Sequence, residues 1–408
     1  MKKLLIKIIT FFKKEHVAKY AVQAGLFFLV LIVFGILATN DLTSNVFGTV
    51  VGFLFSTLLL YVIKMIVSHF EDLLKINRDT EELLQKYPDG DYRKTVEFNG
   101  TKADVAYAVT LVNDGYRFKV VDDKEKMFEL DDFILNNYDR LFSAHSNSTK
   151  VNGETIRLDR CEITGGLCTF YLSRSNYFNH LLTNRAIDFN IFDDVSLRDV
   201  FEYHTTISSY EDSKMSNHIG INGLVFLSDG NILVPRRKAD STISKNKITS
   251  SIAVKLNYPK SGGDTIDEKH LLYGNIIDNL SARTKIPPKE LHLQNIDVKF
   301  LGFGQSLYEG GKPQFYYVVH LNDIDTKKYL EIAVEEDDGK IDVDKCIYVA
   351  DYSSYRFEKD KLAFDAIDEN GKRTKKKYGY ELSYLCNLWH YEEDKKRQKK
   401  GRKPEKTA

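Results

Sequence analysis

The chain has 408 residues, 58 Lys and Arg against 58 Asp and Glu, and only 7 prolines. Its 43% apolar and 28% charged residues exclude wholesale disorder, and a net charge of zero excludes a general nucleic-acid binder, since nothing in the average composition draws it toward phosphate. Cys161, Cys168, Cys346 and Cys386 lack the spacing of a zinc site or a disulfide framework and read as reduced thiols of a cytosolic domain.

The first 70 residues differ in kind from the rest. In 1–19, Leu4, Leu5, Ile8, Ile9 and Phe12 fall at helical spacing among lysines, which suits either an amphipathic interfacial helix on anionic lipid or a plain basic flank. No charge occurs in 20–39 (YAVQAGLFFLVLIVFGILAT), a run that as a helix spans ~30 Å, the thickness of a hydrocarbon core. A second run, 46–67, follows a turn at 40–45, and its one charge, Lys64, can snorkel. A second span directly after the first argues against a cleaved signal peptide. Hydropathy thus predicts a two-helix transmembrane hairpin. Lysines on both flanks and Asp41 in the turn put both termini in the cytoplasm.

Residues 70–86 (from FEDLLKINRDTEELLQ) read as a helical stalk, broken by Tyr87-Pro88-Asp89-Gly90. From 90 to 215, strand-like runs (TVEFNG, YRFKVV, CTFYL) surround one predicted helix at 131–142, an intervening α+β region. HIGINGLVFLSDGNILVPRRK, from His218, is strand, Asp229-Gly230 turn, strand. A third strand is predicted at 248–256. A helix follows at 267–284, with Leu272, Ile276 and Leu280 on one stripe, stopped by Pro287-Pro288. DVKFLGFG and PQFYYVVHL add two strands, the second after Gly310-Gly311. Strands, one helix behind a glycine turn, then strands again is an α+β plan. The domain is expected to run over 216–390, and 391–408 to form a basic disordered tail.

This order resembles the NUDIX fold, whose helix holds G-x5-E-x7-R-E-U-x-E-E-x-G-U, U being apolar. Anchored on Ile286, the R-E-U-x-E-E core falls on Asp278-Asn279-Leu280-Ser281-Ala282-Arg283, and the upstream glutamate on His270. Only the apolar Leu280 survives. An amide, a methyl and a guanidinium cannot hold the divalent cations that NUDIX hydrolysis needs, so no catalytic residue, metal or cofactor is expected and the chain is not read as an enzyme. With the hairpin, the chain resembles the two-helix transmembrane NUDIX-like effectors of bacterial CBASS anti-phage systems. That resemblance implies a sensor of a cyclic oligonucleotide made by a CD-NTase, multi-pass in the bacterial inner membrane. On binding, its hairpins would assemble as a homo-oligomer and disrupt the lipid bilayer, killing the cell (abortive infection). The alternatives are a membrane-anchored NUDIX-type hydrolase and a membrane-anchored protein-binding adaptor.

A metal-free nucleotide pocket needs cationic donors for phosphates and flat surfaces for bases. Arg236, Arg237 and Lys238 end the second hairpin strand, Lys247 and Lys255 follow, Tyr258 is close by, and Tyr316 lies on a strand of the same predicted sheet. These are the ligand-binding candidates; a solvated basic surface is the competing reading. Strand alternation sends Arg236 and Arg237 to opposite faces.

Overall fold

The computed structural model describes residues 93–111, 116–143, 152–192, 195–202, 206–237, 248–333, 343–358, 361–368, 371–379 and 382–401, together with Ser56, Leu60, Tyr87 and His145. The chain divides into two compact units, Met1–Asn77 with Ser143–His145, and Arg78–Phe142 with Ser146–Ala408; the architecture below is that of the second. The predicted transmembrane hairpin is corrected: among the described residues no helix is long and apolar enough to cross a membrane. Of 20–39 and 46–67 only Ser56 and Leu60 are described, and 1–19 and 70–86 lie outside the described residues. The transmembrane part of the fold class falls, and with it the multi-pass inner-membrane placement with both termini cytoplasmic. What stands is a mixed α/β chain with several sheets. The physical reason is that an uncharged run reports a preference for burial without saying what buries it.

In chain order, β1 (Arg93–Phe98) and β2 (Thr101–Leu111) form an antiparallel hairpin. β3 (Arg117–Met127) leads through α1 (Asp132–Asn136) and α2 (Tyr138–Ser143) to β4 (Glu154–Thr164) and β5 (Leu167–Asn176). Next come α3 (Tyr177–Leu182), β6 (Asn190–Phe192), β7 (Val195–Ser196) and α4 (Leu197–Phe201). β8 (Gly220–Leu227), β9 (Ile232–Arg237) and β10 (Ile252–Lys255) precede α5 (Asn275–Thr284). β11 (Ile296–Ser306), β12 (Lys312–Leu321), α6 (Thr326–Ile332) and β13 (Val343–Ala350) follow. β14 (Arg356–Glu358), β15 (Lys361–Ile367), β16 (Arg373–Gly379) and α7 (Leu382–Gly401) complete the order.

The main sheet runs β1-β2-β11-β12-β8-β9-β13-β15-β14, with β10 also on β8 and β16 on β15; β3-β5-β4 form a second sheet. β8 and β12 are parallel neighbours, and β8 is buried along its whole length. Alternation then sends successive residues into two different cores. Phe315, Tyr317 and Val319 face the layer made by α5 and the β3-β5-β4 sheet, where Phe170 sits 5.1 Å from both Phe303 and Phe315. Tyr316 and Val318 face the opposite layer, with Tyr384, Leu385 and Leu388 of α7. Neither face of this part of the sheet is left to solvent.

Several local expectations shift. The predicted helix at 131–142 is two short helices, because the Asn137 amide donates back to Phe133 O (2.8 Å) and caps the first. Along 267–284 the buried apolar residues are Leu271, Ile276 and Leu280 rather than Leu272, Ile276 and Leu280. A π-helical turn at His270–Gly274 inserts one residue into the helical period and rotates the stripe. The tail expected to be disordered from 391 is helical to Gly401. Its inner turns are anchored by buried Leu385 and Leu388, and Lys299 of β11 grips Asp394 at 2.7 Å. The expected boundary at 215/216 does not separate sheets, because β1 and β2 join the main sheet through β11.

α5 ends on Lys285, which has φ 61°. A side chain in the left-handed region is strained, and glycine is the usual occupant of that cap. Lys285→Gly is expected to raise stability by about 0.5–1 kcal/mol; an unchanged urea midpoint would refute it.

Candidate functional site

The helix that the NUDIX resemblance singles out has a donor set unsuited to divalent cations. Its nearby acids are already engaged: Asp278 Oδ2 accepts from Lys260 N (2.9 Å), and Glu268 Oε1 accepts from Val120 N (2.8 Å). The Asn279 amide donates back to Asn275 O (2.8 Å). His270, at the upstream glutamate slot, bonds Asn257 O through Nε2 (2.8 Å). Among the described residues no group of three or more His, Cys, Asp or Glu is placed to hold a metal ion.

The residues chosen from sequence do not form one site. Lys238 and Lys247 lie outside the described residues. Arg236 and Arg237 are half-buried at the end of β9, where Arg236 bridges to Ile248. Lys255 and Tyr258 do meet, over a shared partner. Lys255 Nζ donates to Glu154 O (2.8 Å), and the Tyr258 hydroxyl donates to the Glu154 carboxylate while accepting from Arg174 Nε (2.6 Å). Burial, reinforced by the Glu154 hydrogen bond, pushes the Tyr258 pKa up to about 12, and burial lowers that of Lys255. Tyr316 is on the other face of the sheet, its ring 4.9 Å from that of His390. Phe315, Tyr316 and Tyr317 are all 0% exposed, so none offers a face to a base.

A different set converges where β8 and β12 begin. Asn222 Nδ2 donates to Gln314 Oε1 (2.6 Å), and Gln314 Nε2 donates to Glu309 Oε2 (3.3 Å). Glu309 also faces Lys312 Nζ (3.4 Å) and Arg185 Nη1 (3.3 Å). Gly220 stands opposite Gln314 because a Cβ there would run into the Gln314 amide. Burial, then the charges of Lys312 and others, hold the His218 pKa well below the usual imidazole range. Burial lowers that of Lys312, with Glu309 opposing and Arg185 and Arg237 adding to it. This group carries little local signal in the sequence. Its one local signal was polar Asn222, Lys312 and Gln314 at core positions of otherwise apolar strands; nothing local marks Arg185.

No protein-family model matches the chain, and no curated protein matches it.

Proposed function

We propose that this chain is a non-hydrolysing nucleotide sensor, whose α+β unit binds a cyclic oligonucleotide of the kind a CD-NTase makes during phage infection. The observation that carries the reading is the donor set of α5. Where NUDIX hydrolases collect carboxylates it presents Asn279, Ala282 and Arg283, and Asp278 and Glu268 are spent on the Lys260 and Val120 amides. Phosphate could be held near such a helix, but no metal-activated water would attack it. The left-handed Lys285, at the glycine slot of the NUDIX string, supports the register of the alignment. The ligand acts by driving self-association, which requires that it bind the assembled state more tightly than the single chain.

The test uses the full chain with a panel of cyclic di- and trinucleotides. A ligand that binds only the native state raises the thermal midpoint, and it should increase the sedimentation coefficient as well. No phosphate release from dinucleoside substrates is expected with Mg²⁺ or Mn²⁺. Robust metal-dependent release, abolished by Glu268→Gln, would make the chain a hydrolase instead.

A further inference from the structure

We infer that the buried polar group at the start of β8 and β12 is an oxyanion site, which takes a phosphate group through Lys312, Arg185 and Asn217. The inference rests on the sensor reading only for which molecule carries that phosphate.

The site is built by a tight turn. Gly310 and Gly311, with φ of 55° and 80°, close the 3-10 turn Leu307–Glu309 and fold Glu309 back beside Lys312. Both glycines are required, since a Cβ would strike Ile187 at Gly310 and Ile207 at Gly311. Lys312 and Arg185 are each 7% exposed, and among the described residues each has the same single carboxylate, Glu309, as its ion-pair partner. Among the described residues, one negative charge therefore serves two buried positive ones. An uncompensated buried charge is costly, and an arriving anion removes the imbalance.

Donors are in surplus as well. Most N–H groups of Lys312 and Arg185 have no protein acceptor among the described residues. Asn217 is 0% exposed and its Nδ2 has no hydrogen-bond partner among the described residues. Its place beside the group is fixed, because Asn184 Nδ2 donates both to Asn217 Oδ1 (3.1 Å) and to Glu309 O (2.8 Å). His218 is 6% exposed with Nδ1 likewise unpartnered among the described residues, and burial, then the neighbouring cations, hold its pKa well below the usual imidazole range. Two cations, an orphan amide and the His218 ring match the several oxygens of a phosphate better than a single-point anion.

Thermal unfolding of the full chain is compared for the parent, Lys312→Met and Arg185→Gln. The ligands are inorganic phosphate, against chloride at matched ionic strength, and the cyclic nucleotide panel. Phosphate or a cyclic nucleotide should stabilise the parent, and loss of either cation should weaken that binding about tenfold or more. Without ligand, Lys312→Met should melt at or above the parent, since it removes an unbalanced buried charge; a lower midpoint would mark a merely structural ion pair and count against the site. A phosphate response that needs Lys312, with no response to any cyclic nucleotide, upholds the site and sinks the sensor reading. Cyclic nucleotides that stabilise all three proteins alike uphold the sensor reading and overturn the site. Silence toward every ligand overturns it too. Should Lys312→Met fail to fold, Arg185→Gln decides.

Discussion

Arg174→Met is expected to cost about 3–5 kcal/mol, the largest effect of any substitution considered for this chain. Arg174 and Asp122 are a buried pair, with side chains 1% and 3% exposed and contacts of 2.5 and 2.9 Å. Arg174 also reaches Asp264 O (2.9 Å) and Tyr258, while Asp122 accepts from Ile266 N (2.7 Å). One ion pair thus ties β3 and β5 to the loop that leads into the α5 helix. Removing the cation alone leaves a carboxylate buried without its countercharge. The double variant Asp122→Leu/Arg174→Met, which removes both charges, should recover much of the loss. Urea unfolding of the two single variants and the double measures this, and a double variant as unstable as the sum of the singles would contradict it. The Tyr258 hydroxyl belongs to this structural network, which is why its place near a basic run in the sequence was misleading.

His390→Phe should flatten the acid limb of the stability profile. His390 is 0% exposed on α7, and among the described residues neither ring nitrogen has a hydrogen-bond partner. Its surroundings are aromatic, with the Tyr316 and Trp389 rings at 4.9 and 5.0 Å. Burial, with the Arg397 charge adding to it, pushes its pKa down to about 3. The folded pKa lies below the unfolded one, so between them the unfolded state binds the extra proton. Stability therefore falls as pH drops below about 6.5, by about 1.4 kcal/mol per pH unit from this residue. Between pH 6.5 and 4.5 that amounts to about 2–3 kcal/mol, which the phenylalanine variant should retain. His218 and His320, also depressed by burial, act with the same sign and keep part of the slope. Urea midpoints of parent and variant at the two pH values decide it, and parallel losses would refute the assignment.

What local chemistry dictates was legible. The Asp229-Gly230 hairpin forms with Gly230 at φ 85°, and β12 starts after the glycine pair at 310–311. The α5 helix ends at Thr284, before Pro287-Pro288. Each of these depends on residues within a few positions of one another: a turn that needs positive φ, a ring that cannot continue a helix. The buried stripe of the helix starts at Leu271 rather than Leu272, because a π turn changes the period without any residue type that announces it.

The candidate site was legible only as a type of chemistry. Clustered cations suggested an anionic ligand, but Lys255 and Tyr258 serve Glu154 and Tyr316 lies against α7. Arg185 and Lys312 share Glu309 although no stretch of sequence joins them.

The sequence by itself determined the Asp229-Gly230 and Gly310-Gly311 turns, the strands β8 to β12 and the loss of the NUDIX glutamates from α5, since each is a property of a residue or its near neighbours. It also determined that 20–39 and 46–67 are apolar. Among the described residues no helix is long and apolar enough to cross a membrane. Only the tertiary structure decided which face of β12 meets which layer, that β1 and β2 extend the same sheet, and that two cations and one carboxylate share a buried corner. Burial and electrostatics act through space, and strand order sets those distances independently of chain separation.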